Sequence, residues 1–267
     1  MTTPGTSSSE PGLLQWVWDW TKSIGVALLF WLVLKTFFVE AFRIPSGSME
    51  KTLLVGDFLF VNKLIYGAEV PLVGWRLPAV REPKRDDVVV FDSVKDSSDV
   101  FWALRGPMAL WQRAKSRPVN TREPIKVVKR MVGVPGDTLW MEAGQLWRNG
   151  GKVDEPWAQH LDASRSEDAF NRSVMREWQS RHLVNRDPEQ YRPDLQDWGP
   201  IVVPADSFFM MGDNRDLSYD GRFWGFLPRQ NVRGRPLFVY FSYDAESYKA
   251  LPFVTAVRWS RLFTRPH

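Results

Sequence analysis

Two serines and a lysine stand out in this chain as residues whose setting could support chemistry. Ser46 and Ser48 sit in Ile44-Pro45-Ser46-Gly47-Ser48-Met49. Proline locks φ and glycine tolerates φ > 0, so the stretch reads as extended chain entering a tight turn. A serine on such a turn can present its hydroxyl as a nucleophile, although Pro-Ser-Gly-Ser is also ordinary loop composition. A nucleophilic serine needs a base. The chain has three histidines, His160, His182 and His267, none in an apolar or motif-like setting, and no cysteine. A Ser-His-Asp triad therefore has few parts. Thiolate nucleophiles, disulfides and cysteine metal sites are excluded.

The substitute base is Lys129, in Ile125-Lys126-Val127-Val128-Lys129-Arg130-Met131-Val132. Read as a strand, this run places Ile125, Val127, Lys129 and Met131 on one face, with Lys129 the only charge among them. Burial among apolar neighbours disfavours the ammonium and lowers a lysine pKa, and a neutral amine can accept a serine proton. The bland alternative is a strand lysine reaching to water. A third stretch, from Gly212 to Gly225, is dense in Gly, Asp, Asn and Ser. It reads as a long turn or as a hydrogen-bonded platform. On such a platform Asp220 would pair with Arg222 and Ser218 would lie beside a buried lysine. Composition does not choose between the two.

These residues need elements to position them. Residues 1–12 are rich in Ser, Thr, Pro and Gly and read as a disordered tail. Residues 13–40 read as an anchor, because 16–34 approach the ~20 apolar positions of a spanning helix. Trp16, Trp18 and Trp20 would form an interfacial belt, with an amphipathic helix lying in the interface as the alternative. No small-residue cleavage site follows, so the segment reads as an uncleaved anchor. Short β-branched and aromatic runs then recur: 58–61, 87–91, 125–134, 139–141, 146–148, 201–203, 207–211 and 237–241. They predict an antiparallel, mainly β domain. The β core is expected over 41–142 and 200–267. An irregular insert is expected at 93–123 and an inserted subdomain at 143–199. In the latter Phe170, Val174 and Trp178 predict one amphipathic helix. A net charge of +4, interspersed along the chain, gives no nucleic-acid signature but suits an acidic membrane surface.

Three stretches occurring in order carry a resemblance. They are Pro45-Ser46-Gly47-Ser48-Met49; Lys129-Arg130-Met131-Val132-Gly133-Val134-Pro135-Gly136-Asp137; and Gly212-Asp213-Asn214-Arg215-Asp216 with Arg222-Phe223-Trp224-Gly225. Together they resemble the bacterial type I signal peptidase (leader peptidase) family of Ser–Lys serine peptidases. Asp86-Asp87-Val88-Val89-Val90-Phe91 resembles a further core strand of that family. The resemblance covers the anchor and the β core, not the two inserts.

The resemblance implies Ser48 as nucleophile and Lys129 as general base. It implies Ser46 as a side-chain donor of the oxyanion hole beside the Ser48 N–H, and Ser218 as the residue that orients Lys129. Asp220 and Arg222 become structural support. Substrate would bind as an added strand between residues 42–48 and 126–129, with Phe42, Ile44, Val127 and Val128 lining its pockets. The implied substrate is a signal-peptide-bearing preprotein cut after an Ala-x-Ala-like site. The implied place is the outer side of the bacterial cytoplasmic membrane, in contact with lipid. A monomer without cofactor or metal is expected. Lys51, Leu217 and Gly221 stand where the family more often has Pro, Asn and Ser; none is a reacting group. Two other readings compete: a self-cleaving Ser–Lys regulatory protease, and an inactive membrane-anchored peptide-binding protein.

Overall fold

The computed structural model describes residues 13–69, 75–94, 125–160 and 169–266. The expected tail at 1–12 and nearly all of the expected insert at 93–123 lie outside the described residues. Helix α1 (Leu13–Val33) is followed by a wider helical turn, Leu34–Phe38. The chain then extends into β1 (Val39–Arg43). The strands that follow are β2 (Asp57–Asn62), β3 (Val88–Asp92), β4 (Lys126–Gly133), β5 (Thr138–Glu142), β6 (Gln145–Arg148) and β7 (Gly151–Lys152). Helix α2 (Ala169–Gln179) precedes β8 (Trp198–Val202) and β9 (Ser207–Met211). The short helix α3 (Gly221–Trp224), β10 (Leu227–Pro228), β11 (Val232–Ser242) and the short helix α4 (Pro252–Thr255) complete the order.

The protein is mainly β and its sheets are antiparallel. Seven strands run in the order β1-β2-β11-β3-β4-β9-β10, and four in the order β7-β6-β5-β8. The four-stranded sheet includes strands on both sides of residue 142, because β5 pairs with β6 in a hairpin and with β8. The hairpin turn is Ala143-Gly144, both at positive φ, which matches the twist of the flanking strands. Against this sheet packs α2, whose Val174 and Trp178 meet a cluster that includes Met175, Leu146 and Trp198. That is the helix the spacing predicted; the side chain of Phe170 lies outside the described set.

Two sheet edges position the site. Every neighbouring pair along β1-β2-β11-β3-β4 is antiparallel, so β1 and β4 run in the same direction. β1 ends the seven-stranded sheet and pairs only with β2. β4 pairs with β9 only from Arg130 onward. Among the described residues, Val39–Arg43 and residues 126–129 therefore each keep one unpaired edge. Phe42, Ile44 and Val128 pack on one cluster with Met49 and Leu53. The two edges thus share a floor.

The expected spanning helix requires a correction. Among the described residues no helix is long and apolar enough to cross a membrane. The physical reason lies in the first half of α1, where Asp19, Thr21, Lys22 and Ser23 interrupt the apolar run. Only residues 24–33 remain continuously apolar, roughly 15 Å of helix against a hydrocarbon core of about 30 Å. Still, α1 has no buried residue. Trp16, Trp18, Trp20, Leu29, Phe30 and Trp31 are all more than half exposed.

Candidate active site

Ser48 lies in a single tight helical turn, Gly47–Met49, and Ser46 precedes it in extended conformation. As a first-turn residue, Ser48 has no carbonyl within the turn to receive its N–H, which leaves that group available as a donor. The Ser48 side chain is buried, yet its Oγ contacts Lys129 Nζ from the middle of β4. Lys129 is only 3% exposed. Burial pulls its pKa down to about 8; Asp220 and Asp213 oppose this and Arg222 adds to it. With the amine neutral, the Ser48 hydroxyl is the donor and the amine lone pair the acceptor.

The loop after β9 supports this contact. Gly212 donates its N–H to Asp220 Oδ2 at 3.0 Å. Asn214 donates its N–H to the Ser48 carbonyl at 3.1 Å. An added Cβ at Gly212 would come within 2.2 Å of Ser218 Oγ and 2.5 Å of the Ser48 carbonyl oxygen. Only glycine lets this loop lie so close to Ser48. Asp220 and Arg222 are fully buried and paired through Nε–Oδ1 at 2.9 Å and Nη2–Oδ2 at 3.0 Å. Burial alone would raise the Asp220 pKa, but the Arg222 charge and its hydrogen bonds hold it below the usual carboxylate value. The Arg222 carbonyl accepts from Trp178 Nε1 and Gln179 Nε2, which ties α2 to the loop.

The structure departs from the sequence reading at several of these residues. Ser218 is buried near Ser48 and Gly212, but its hydroxyl makes no hydrogen bond among the described residues. The expected bond to Lys129 is not formed; the amine meets Ser48. Phe42, Ile44 and Val128 come together, while Val127 packs on the opposite cluster around Met131 and Phe91, as strand alternation requires. The Ser46 hydroxyl is half-buried and makes no hydrogen bond among the described residues, so it is free to donate. Lys51 has φ 81, a conformation closed to proline, which fits the absence of proline there. At Gly221 a Cβ would meet the Met210 carbonyl at 2.8 Å, so a serine would not fit this packing.

Several supporting residues had no local signal. Arg130 grips Asp213 with two bonds of 2.8 and 2.7 Å, both groups being buried. Thr52 Oγ1 also donates to Asp213. Glu155 binds Arg215 in the same bidentate way, and Gln159 bonds the backbone of Asp213 and Arg215. Trp157 stacks over the Arg130 guanidinium at 4.2 Å. His160 Nδ1 lies 3.4 Å from an Asp216 carboxylate oxygen, and His182 meets the Phe226 ring edge-on; neither contacts Ser48 or Lys129. His267 lies outside the described residues. No group of side chains able to hold a metal occurs among the described residues.

A turn-borne serine, a buried amine against it and two free strand edges beside it can perform acyl transfer on an extended peptide. The chain belongs to the family described as signal peptidase, peptidase S26, whose model matches residues 17–241. It is thereby a serine endopeptidase of the signal peptidase class. Signal peptidase I of Pseudomonas aeruginosa is 33% identical over 247 residues, 88% of this chain and 76% of that protein. Signal peptidase I of Leptolyngbya laminosa is 30% identical over 238 residues, covering 87% of this chain and 86% of its own. A solved signal peptidase I from Enterococcus faecalis is 21% identical and covers 59% of this chain and 98% of its own. Its TM-score of 0.32 is too low to add to the account of the fold.

Proposed function

We propose that this chain removes N-terminal signal peptides from exported preproteins, cutting after an Ala-x-Ala-like site, with Ser48 as nucleophile and Lys129 as general base. The observation that carries the reading is the contact between Ser48 Oγ and a buried lysine whose pKa is brought down to about 8. The neutral amine takes the hydroxyl proton as Oγ attacks the scissile carbonyl. The oxyanion is met by the Ser46 hydroxyl and the Ser48 N–H, donors of a kind that contribute roughly 2.7–4 kcal/mol each. The Lys129 ammonium returns its proton to the leaving amine, and water then releases the acyl group by the same route in reverse.

Substrate enters as an added strand between the free edges of β1 and β4, with backbone bonds for affinity and alternate side chains facing the shared floor. Small residues one and three before the cut lie over Ile44, Phe42 and Val128. In this reading α1 attaches the chain to the cytoplasmic membrane, with the site on the extracytoplasmic side. Support comes from its apolar surface, none of which is buried, and its cluster of tryptophans. An inactive peptide-binding protein is the competing reading. Incubation of the purified chain with a model preprotein, followed by N-terminal sequencing of the product, separates the two. One new N-terminus at the signal junction, absent with Ser48→Ala, is expected; an uncut preprotein would reject the proposal.

A further inference from the structure

The floor shared by β1 and β4 is apolar near Ser48 and charged at its far end. Alternation puts Ile44, Phe42 and Glu40 in one row along β1, and Val128 and Lys126 in one row along β4. Ile44, Phe42 and Val128 pack together. One step further from Ser48, Lys126 Nζ contacts Glu40 Oε1 across the gap between the two edges. Lys63, just after β2, stands 3.8 Å from the other oxygen of the same carboxylate. Glu40 and Lys126 are each about one-third exposed, so a bound chain can reach them.

The charge here is unbalanced. Two ammonium groups share one carboxylate. Around them, Arg233 pairs with both Glu69 and Asp92, and Arg76 adds a second cation beside that group. Among the described residues, Arg76 and Arg233 thus balance Glu69 and Asp92, which leaves a surplus of one positive charge there. Burial lowers the Lys63 pKa; Glu40 opposes this and Lys126 reinforces it.

The direction of a bound peptide follows from chain continuity. β1 begins at Val39, directly after the helical segment that ends at Phe38. A signal peptide carries its apolar helix before the cut. That end must lie towards α1, so residues before the cut run from Ser48 towards Glu40. Residues one, three and five before the cut share a face. If one and three lie over Ile44 and Phe42, the fifth lies over Glu40.

We propose that Glu40, Lys63 and Lys126 form a charged subsite for the side chain of the fifth residue before the cut, and that it favours an acidic residue over a basic one. The proposal rests on the signal-peptidase reading of the site. It adds a specificity determinant that lies outside the reacting groups.

The test compares three preproteins that differ only at that residue, carrying Glu, Ala or Lys. Each is cleaved by the wild type, by Lys126→Glu and by Glu40→Gln, with kcat/KM as the readout. The ratio of the Glu to the Lys substrate cancels any general loss of activity in a variant. The wild type should prefer Glu over Lys a few-fold, the scale of partly exposed ion pairs. Lys126→Glu should invert that ratio, and Glu40→Gln should enlarge it. A ratio unchanged across the three enzymes would overturn the subsite while leaving the signal-peptidase reading in place. No cleavage of any substrate by the wild type would overturn both.

Discussion

Lys129 Nζ and Ser48 Oγ meet across 81 positions of sequence, in a buried pocket closed by the loop that begins at Gly212. Neither residue is held by its own element alone. Ser48 is fixed by a three-residue turn and by the Asn214 N–H on its carbonyl. Lys129 is fixed by its place on β4, opposite Val89 of β3.

Gly212→Ala should damage catalysis without replacing a reacting group. The new methyl would overlap Ser218 and the Ser48 carbonyl, so the nucleophile must move. A displacement near 1 Å costs on the order of a hundredfold in rate. Steady-state kinetics should show kcat down by about that factor, with circular dichroism reporting a native fold. Full activity would mean that the loop does not position Ser48.

Ser46→Ala should lower kcat about a hundredfold or more and leave KM nearly unchanged, because an oxyanion donor acts in the transition state. A pure KM effect would instead make Ser46 a substrate-positioning residue.

Replacing Lys129 should stabilise the fold at neutral pH. Its folded pKa of about 8 lies below the unfolded value of 10.5. The unfolded chain therefore binds more protons between those values, and stability rises with pH through that window. Below pH 8 the burial penalty is fully present, at most about 3 kcal/mol by linkage. Lys129→Met should therefore raise Tm at pH 7 and lose that advantage by pH 10.5. Equal melting of the two proteins at pH 7 would contradict the lowered pKa.

Membrane attachment should depend on α1. Washing with high salt should leave the chain in the membrane fraction, since its exposed surface there is apolar rather than charged. Removal of residues 1–33 should release it. Release of the full chain by salt alone would show that charge, not α1, holds it.

Much of the fold was legible because strands leave local patterns. The runs at 58–61, 87–91 and 207–211 became β2, β3 and β9 with ends shifted by a residue at most. Lys129 was legible as a charge inside an apolar alternation. Of the charges that act on it, Asp220 and Arg222 were placed at the site by the resemblance and as one of two readings of their loop, and Asp213 was not placed at all, because groups so far apart in sequence leave no local trace. The same applies to Glu155, whose partner Arg215 lies 60 positions away. β1 was hidden for another reason. Its first residue continues the short apolar run that resumes after Lys35, so the anchor seemed to run on to residue 40, whereas the helical segment ends at Phe38. Ser218 shows the limit of resemblance. It lies buried in the loop beside Gly212, but the bond to Lys129 that was expected of it is not formed.

The most direct test of the account is the pH dependence of preprotein cleavage by the wild type and by Lys129→Met. Only the neutral amine accepts the Ser48 proton, so wild-type kcat/KM should rise with pH and level off above about 8. His160→Ala, His182→Ala and His267→Ala should each keep that limb. Lys129→Met should fold and fail to turn over at every pH, and Lys129→Arg should fail as well because guanidinium stays protonated. An active Lys129→Met enzyme, or an acid limb that vanishes with one of the histidines, would contradict the Ser48–Lys129 mechanism.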